Sequence, residues 1–343
     1  MPDLAAVVPK PEADRAVAAL RAEGVYDDDR SIVEAGDGTL EIPVTSAPAE
    51  TAVLDVVEQV DPVPRLRGLD DRLRERGFSE TERERAPRSW HVVGDVVLVR
   101  FPEDCPDPGA VAEALLDLHG ADTVLDTGDV TGPTRTPDVS VVAGSGDTEV
   151  VHVEHGTRYA LDLAEVMFSP GNQAERVRMG EVVDADERVL DPFAGIGYFA
   201  LPMARAGADV TAIEVNPDAF RYLVENAVLN DVEDRLAATL GDCRDVVRPD
   251  APGAANHGAA DRLVLGHFDA SDYLDALLPA LTAGGTLHLH AAAPADGAGA
   301  DAPIESLEAA ASALGRDAEV LATREVKSYA PGIAHVVVDA RVE

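Results

Sequence analysis

Three acidic residues stand at the carboxyl ends of successive apolar segments in the second half of the chain. Asp191 ends the segment VLD, Glu214 ends VTAIE, and Asp242 follows ATLG. If these segments are neighbouring parallel strands, their carboxyl ends meet at the sheet edge where open α/β sheets bind ligands. Carboxylates accept hydrogen bonds from hydroxyl and ammonium groups. The pattern therefore predicts a site for a ligand that carries both kinds of group.

A glycine-rich loop follows the first of these acids and leads into a predicted helix, in residues 189–202, VLDPFAGIGYFALP. Gly195 and Gly197 allow backbone N–H groups to approach a ligand at the positive end of the helix. The same Gly-x-Gly-x-x-Ala pattern, with Glu214 seventeen residues beyond Gly197, also fits a dinucleotide-binding loop. The loop alone therefore leaves two cofactor classes open, NAD and S-adenosylmethionine.

Features outside the glycines favour S-adenosylmethionine. Asp191 precedes the loop, where it could hold the ligand's ammonium group directly or through water, although a helix cap is the structural alternative. Asn216-Pro217 turns the chain sharply after Glu214, where a ribose and an adenine edge would lie. Gly241-Asp242 suits the adenine amino group.

The elements that position these residues alternate between strand and helix from about residue 167 onwards. A parallel sheet that ends in an antiparallel pair predicts the class I S-adenosylmethionine-dependent methyltransferase version of the Rossmann-like α/β sheet. The predicted strands are 188–191, 209–214, 236–241, 262–266, TLHLHAA, AEVLATREVKSYAP and GIAHVVVDARV, and the predicted helices are 197–206, 217–229, YLDALLPALTAGG and 304–315.

The residues before this alternation predict two smaller domains. Residues 1–60 form a small α/β N-terminal domain with a connector at 46–62, and residues 61–166 form an α+β middle domain, followed by a catalytic domain at 167–343. The middle domain begins with an arginine-rich stretch, 65–88, that holds eight arginines against six acids. Ion pairs along a solvated helix explain such a stretch, and contact with an RNA backbone is the functional alternative.

The composition predicts a protein adapted to high salt. The 343 residues include 64 acids and 28 basic residues, of which only two are lysines, and the net charge is −36. Carboxylates stay hydrated and like charges are screened in concentrated salt. Because counterion release contributes little there, the acidity does not exclude a nucleic-acid partner.

The sequence has no features of a disulfide-rich, metal-binding, membrane-spanning or secreted protein. Cys105 and Cys243 have no partner motif, so neither a disulfide framework nor a metal site is expected. No apolar run is long enough to span a membrane, and the N-terminus lacks the pattern of a secretion signal. We therefore expect a cytoplasmic protein without a metal.

Further polar candidates lie beside the predicted cofactor loop. The segment Phe168-Ser-Pro-Gly-Asn172 precedes a predicted helix that carries Arg176. Ser169 and Asn172 are either caps of this helix or part of a segment that closes over the cofactor. In the second case Arg176 is available to a carboxylate or a phosphate. His267 follows the fourth strand and has either a substrate contact or a structural role. His155 and Arg135 are structural in the simplest interpretation.

The motifs together resemble the archaeal and eukaryotic enzymes that act on the purine at tRNA position 37, beside the anticodon. The resemblance covers nearly the whole chain: VVPKPEADRAVAALRAEGVYDDDR is similar to their N-terminal domain, and SWHVVGDVVLVRFPED and EHGTRYALDLAEVMFSPGNQAERVRM to their middle domain. The region from Asp191 to Glu343, including VKSYAPGIAHVVVD, resembles their catalytic domain. One branch methylates guanine N1. The wybutosine-pathway branch transfers the 3-amino-3-carboxypropyl group of S-adenosylmethionine to a tricyclic guanosine, 4-demethylwyosine, in tRNA-Phe.

A few positions resemble the wybutosine-pathway branch. They are Gly171-Asn172 after the proline, Tyr198 after the second glycine, Glu214 in place of aspartate, and Leu265-Gly266 in place of Asn-Leu-Pro. The resemblance implies displacement at the γ-carbon of the methionine arm, with catalysis mostly by positioning. The guanine N1-methylase stays open as an alternative, and an NAD-dependent oxidoreductase as a second.

The predicted site residues fall into two groups, and none is assigned a catalytic role. The oligomeric state is left open. Cofactor contacts are expected from Phe168, Ser169, Arg176, Asp191, Phe193, Ala194, Gly195, Gly197, Glu214, Asn216, Asp242 and Cys243. Contacts with the tRNA or its target base, which must be splayed out of the anticodon loop, are expected from Asn172, Arg135, His155, His267, Arg65, Arg67 and Arg72.

Overall fold

A computed structural model describes residues 2–132, 135–247, 259–295 and 300–343. Internal contacts divide the chain into two compact units, Met1–Ala86 and Pro87–Glu343. The finer division into three domains stays a prediction, and most of the loop predicted at 249–260 lies outside the described residues. No helix in the described part has both the length and the apolar character to cross a membrane.

The first unit is an antiparallel sheet in the order β2-β3-β1-β4, with a helix packed on its core. Helix α1 ends because Gly24 takes a left-handed conformation, with φ at 78°. The predicted connector contains a strand, β4, that pairs with β1. Its four residues are too few to show the alternation of apolar and polar residues by which a strand is recognised in a sequence. The elements are β1 (Leu4–Pro9), α1 (Ala13–Glu23), β2 (Val33–Gly36), β3 (Thr39–Pro43), β4 (Asp55–Glu58), α2 (Leu69–Glu75) and α3 (Glu80–Glu84).

The second unit begins with a four-stranded sheet and a hairpin. The sheet has the order β5-β6-β7-β8, and the hairpin pairs β9 with β10. The predicted hairpin turn at His155-Gly156 is present, with φ at 48° and 81° as a tight hairpin turn requires. The elements are β5 (Trp90–Val93), β6 (Val96–Val99), α4 (Pro108–His119), β7 (Thr123–Thr131), β8 (Thr136–Gly144), β9 (Glu149–Glu154) and β10 (Thr157–Asp162).

The rest of the second unit contains a seven-stranded sheet in the order β13-β12-β11-β14-β15-β17-β16, within the described ranges. Strands β11 to β15 are parallel, and β17 is antiparallel to both of its neighbours. This topology confirms the predicted class I methyltransferase fold. The elements are α5 (Gln173–Val182), β11 (Arg188–Asp191), α6 (Ala200–Arg205), β12 (Asp209–Glu214), α7 (Pro217–Leu229), β13 (Leu236–Leu240), α8 (Cys243–Val246), β14 (Ala260–Leu265), α9 (Leu274–Leu277), β15 (Leu281–Pro294), α10 (Asp301–Ala313), β16 (Ala318–Ala330) and β17 (Ile333–Val342).

The predicted helix YLDALLPALTAGG is largely wrong. Helix α9 has only four residues, lies between 3-10 turns, and is followed directly by β15, which includes the two glycines. Pro279 has no N–H to donate, so it cannot continue a helix, and Leu281 pairs instead with Ala260 of β14. The leucines that suggested a helical face are buried in the core beneath the sheet.

Candidate cofactor and substrate site

Asp191 ends β11 and is completely buried. Its Oδ1 accepts a hydrogen bond from the Phe193 N–H at 3.3 Å, whereas Oδ2 has no partner in the described part of the chain. Burial raises the pKa of this carboxyl to about 7, and the nearby charge of Glu214 adds to the effect. A buried carboxylate oxygen without a donor is costly, so a cationic or donor group of a ligand would stabilise it.

The glycine loop is held against the neighbouring strand β12. Gly195 donates its N–H to Glu214 Oε2 at 2.7 Å, and the Ala194 N–H donates to the carbonyl of Ile213 at 3.0 Å. Gly195 and Gly197 have φ values of 57° and 101°, which favour glycine. A Cβ on Gly195 would lie 2.4 Å from the Tyr198 ring, so the loop has no room for a side chain there.

Glu214 ends β12 and accepts a backbone N–H at each oxygen. Gly195 donates to Oε2 and Asn216 to Oε1, both at 2.7 Å. Burial raises its pKa, and these two donors oppose the rise. The Asn216 side chain accepts from the Asp218 N–H at 3.0 Å and caps α7. Because each carboxylate oxygen has more than one acceptor site, Glu214 retains the capacity to bind a pair of hydroxyl groups.

Asp242 lies at the third strand end, as its position after β13 predicts. It caps α8 by accepting the Arg244 N–H at 2.9 Å, and the Arg244 guanidinium binds its carboxylate and lowers its pKa. The guanidinium carbon of Arg244 lies 4.9 Å from the centre of the Tyr273 ring. Cys243 follows in a buried position, and burial raises the pKa of its thiol to about 12, so the thiol is neutral.

These strand ends form a cleft of about 210 Å³. The predicted cofactor residues that line it are Phe193, Gly195, Glu214, Asn216, Asp242 and Cys243. The predicted site residues do not include other lining residues, among them Val166, Met167, Pro192, Val215, Ala219, Arg244 and Tyr273. Among the described residues, the predicted cofactor residues Asp191, Ala194 and Gly197 are not part of this lining, although fully buried Asp191 directly precedes the lining residues Pro192 and Phe193. Glu214 in the lining suits the ribose hydroxyls of S-adenosylmethionine, and the unpartnered Oδ2 of Asp191 suits its ammonium.

A larger cleft of about 800 Å³ adjoins the first and has Arg135, Met167, Gly266 and His267 in common with it. Ser169, Asn172, Phe268 and Lys327 are among its other lining residues. Burial lowers the pKa of His267, and the charge of Arg135 lowers it further, so the imidazole is neutral at pH 7. Because the two clefts share four lining residues, they are contiguous and leave room for a second ligand beside the first.

The segment before α5 takes part in this larger cleft rather than capping the helix. Within the part of the chain that the structure describes, neither Ser169 nor Asn172 makes a side-chain capping hydrogen bond. Ser169 Oγ accepts instead from Lys327 Nζ at 2.7 Å, and the Asn172 Oδ1 atom is buried without a partner in the described residues. Phe168 also lines this larger cleft, and its ring centre lies 4.9 Å from the guanidinium carbon of Arg176.

The structure gives Arg176 a partner that the sequence did not indicate. Its Nε and Nη2 donate to the two carboxylate oxygens of Glu154, at 2.6 and 2.7 Å, and both side chains are buried. Its Nη1 donates to the carbonyl of Ser169 at 3.0 Å. The guanidinium is therefore not available to a ligand carboxylate, and it anchors the segment that carries Ser169.

We expect Arg176→Met to destabilise the protein by about 3–5 kcal/mol, because it leaves the Glu154 carboxylate buried without a cation. The double variant Arg176→Met/Glu154→Leu should recover most of this loss. Arg221→Met, which breaks an exposed pair with Glu165, should cost less than about 1 kcal/mol. Urea unfolding measures all three. A loss below about 1 kcal/mol for Arg176→Met would contradict the structural role.

Other predicted substrate residues lie elsewhere. His155 is in the β9–β10 turn and lines a separate cavity of about 140 Å³. Arg65 and Arg67 belong to the first unit and pair with Asp28, at 2.6 and 3.1 Å, which favours the ion-pair interpretation of the arginine-rich stretch. Arg72 is in the same unit, and its Nε atom is buried without a hydrogen-bond partner in the described residues.

The fold and the cleft at its strand ends define a Rossmann-like protein of the class I methyltransferase type. Two family models match the chain: the TRM5/TYW2 methyltransferase domain over residues 150–321 and the TYW2 N-terminal domain over residues 69–148. The chain belongs to the TRM5/TYW2 family, which confirms the predicted membership.

Similar proteins come from both branches of the family. The chain is 40% identical over 284 residues to a tRNA(Phe) (4-demethylwyosine(37)-C(7)) aminocarboxypropyltransferase of Pyrococcus horikoshii, covering 81% of this chain and 99% of that one. The structure of P. horikoshii TYW2 in complex with MeSAdo has a TM-score of 0.68 and 36% identity, covering 80% of this chain and 97% of that one. Trm5b of Pyrococcus abyssi has a TM-score of 0.74 and 29% identity, with 99% of each chain covered.

Proposed function

We propose that this protein transfers the 3-amino-3-carboxypropyl group of S-adenosylmethionine to 4-demethylwyosine at position 37 of tRNA-Phe. The observation that carries the proposal is the 40% identity to the P. horikoshii aminocarboxypropyltransferase, which extends over 99% of that protein. The geometry supports it, because a cleft suited to the cofactor adjoins a larger cleft suited to a splayed base.

When bound, S-adenosylmethionine would supply an activated γ-carbon. The electron pair of the acceptor carbon would form the new C–C bond while the C–S bond breaks toward sulfur, which leaves 5′-methylthioadenosine. The proton of the acceptor carbon would be released to solvent. The protein's contribution is mainly to position the two reactants. Asp191 would hold the ammonium of the methionine arm, and Glu214 would hold the ribose. Phe193 and Tyr273, whose ring centres lie 5.1 Å apart, would pack beside the adenosyl group.

No strong base is placed beside the reacting atoms in this proposal. His267 is the titratable group common to both clefts, besides Arg135, and its lowered pKa makes it a weak base. A carbon acceptor whose electrons are already activated by the fused ring requires little proton removal before bond formation. The neutral His267 would instead pack beside the bound groups, as it packs beside Phe193 with ring centres 5.4 Å apart.

The guanine N1-methylase is the second candidate, because Trm5b of P. abyssi matches the fold over 99% of each chain. Two forms of labelled S-adenosylmethionine distinguish the reactions on tRNA-Phe that contains 4-demethylwyosine. We expect label from the carboxyl carbon to enter the tRNA and label from the methyl group to stay out of it. Transfer of the methyl label to a tRNA whose residue 37 is still an unmodified guanosine would support the methylase instead.

We further propose that the protein works in the cytoplasm of an archaeon with a high internal salt concentration. The net charge of −36 and the presence of only two lysines support this proposal. Dilution from molar potassium chloride to about 0.1 M should abolish the folded circular-dichroism signal, because the acids then repel one another with less screening. Full stability at about 0.1 M salt would refute the adaptation to salt.

A further inference from the structure

Two cations beside the clefts have no carboxylate partner in the described part of the chain. They are the ammonium of Lys327 on β16 and the guanidinium of Arg135. This is unexpected in a chain with 64 acids and 28 basic residues. Nearby arginines are paired: Arg176 binds Glu154, and Arg324 binds two acids. Cations left without a partner in such an acidic chain indicate a site for an anion from outside it.

Lys327 is held in place by the segment before α5. Its Nζ donates to Ser169 Oγ at 2.7 Å, and the side chain is half-buried. A Cβ on Gly171 would lie 3.0 Å from the Lys327 Cδ atom and 3.2 Å from Nζ, so the glycine leaves room for the lysine. Burial lowers the pKa of the ammonium, and the charges of Arg176 and Arg135 lower it further. A bound anion would stabilise the charged ammonium and so oppose both of these effects on its pKa.

Arg135 lies where the two clefts meet and lines both. Its Nε and Nη2 atoms face the Met167 sulfur at 3.4 Å, and its guanidinium carbon lies 6.0 Å from the centre of the Phe268 ring. A thioether is a weak acceptor, so these donors are poorly satisfied by the protein. Arg135 thus offers positive charge at the opening of the cofactor cleft, and Lys327 offers it within the larger cleft.

We propose that Lys327, together with Arg135, binds the α-carboxylate of the methionine arm of S-adenosylmethionine. This inference rests on the proposed function. The ammonium and the carboxylate of that arm are attached to one carbon, so its site requires an acidic and a basic partner. Asp191 supplies the first and the two cations supply the second. Fixing the carboxylate in this way would make Lys327 a determinant of which carbon of the cofactor faces the acceptor.

The test compares ligands that differ in one group, by calorimetry and without tRNA. The ligands are S-adenosylhomocysteine, its analogue with the carboxylate replaced by hydrogen, and 5′-methylthioadenosine, which lacks the arm. The wild-type protein should prefer S-adenosylhomocysteine to the decarboxylated analogue by roughly tenfold or more. Lys327→Gln should remove most of this preference and leave the affinity for 5′-methylthioadenosine unchanged.

Three further variants make the test specific. Gly171→Ala should reduce the preference by displacing the ammonium while keeping its charge. Lys327→Arg should retain much of it. Lys10→Gln should change nothing, because Lys10 is the chain's other lysine and forms an exposed pair with Glu34.

Two outcomes would overturn the inference. Lys327→Gln could lower the affinity for all three ligands equally, which would indicate a structural role. Alternatively, it could leave the preference intact and weaken tRNA binding, which would assign the ammonium to a phosphate of the tRNA. Failure of the proposed function looks different, because the wild-type preference would then persist while methyl label entered the tRNA.

Discussion

Asp191→Asn is expected to weaken the binding of S-adenosylhomocysteine by about 100-fold, since it removes a buried charge that would pair with the ligand's ammonium. Asparagine retains the shape of the residue and the acceptor for the Phe193 N–H. The affinity for 5′-methylthioadenosine, which has no ammonium, should change little. Calorimetry with the two ligands measures both effects.

The same carboxyl predicts a pH dependence of binding. Its pKa in the free protein is raised to about 7, and only the ionised form attracts an ammonium. The wild-type affinity for S-adenosylhomocysteine should therefore fall as the pH drops below about 7, whereas Asp191→Asn should bind weakly at every pH. Asp261→Asn, which alters an exposed ion pair with Arg188, is the control and should follow the wild type. An unchanged affinity in Asp191→Asn would show that Asp191 is not a ligand contact.

Asp191 should also reduce the stability of the ligand-free protein at alkaline pH. Its folded-state pKa of about 7 exceeds the ordinary value of 3.8, so the folded state binds the proton more tightly than the unfolded state. The resulting stabilisation is fully present below about pH 4 and is lost as the pH rises to about 7. We expect Asp191→Asn to have the higher Tm at pH 8 and the difference to shrink on acidification.

Glu214→Gln is expected to weaken the binding of 5′-methylthioadenosine by roughly 30- to 100-fold. Both oxygens of Glu214 accept backbone N–H groups, from Gly195 and Asn216. An amide would place an NH₂ group against one of these donors, which loosens the glycine loop and removes a contact with the ribose. This effect falls on the adenosyl end of the cofactor, whereas that of Asp191→Asn falls on the methionine arm.

The control for Glu214→Gln lies on the same strand. Asp209→Asn at the other end of β12 alters only an exposed ion pair with Arg235, so it should leave binding unchanged. If Glu214→Gln bound 5′-methylthioadenosine as the wild type does, the ribose would be held elsewhere.

Local sequence signals were sufficient for the elements that carry the acids. The predicted helix 217–229 matches α7, because Asn216 and Pro217 mark its start. The predicted strands 188–191 and 209–214 match β11 and β12. These signals act over a few residues, so they are visible without tertiary structure.

Contacts between distant parts of the chain were not predictable in this way. Glu154 neutralises Arg176, and Lys327 reaches Ser169 across 158 positions. No local pattern encodes either pair. Two sequence signals were available for Lys327: the chain has only one other lysine, and Lys327 belongs to the segment VKSYAPGIAHVVVD that resembles the family's catalytic domain.

The by-product of a single turnover distinguishes aminocarboxypropyl transfer from methyl transfer. The wild-type protein, S-adenosylmethionine and tRNA-Phe bearing 4-demethylwyosine are mixed, and the nucleoside product is measured by mass spectrometry. We expect one 5′-methylthioadenosine for each modified base and no S-adenosylhomocysteine above background. Formation of S-adenosylhomocysteine in step with modification would show methyl transfer and contradict it.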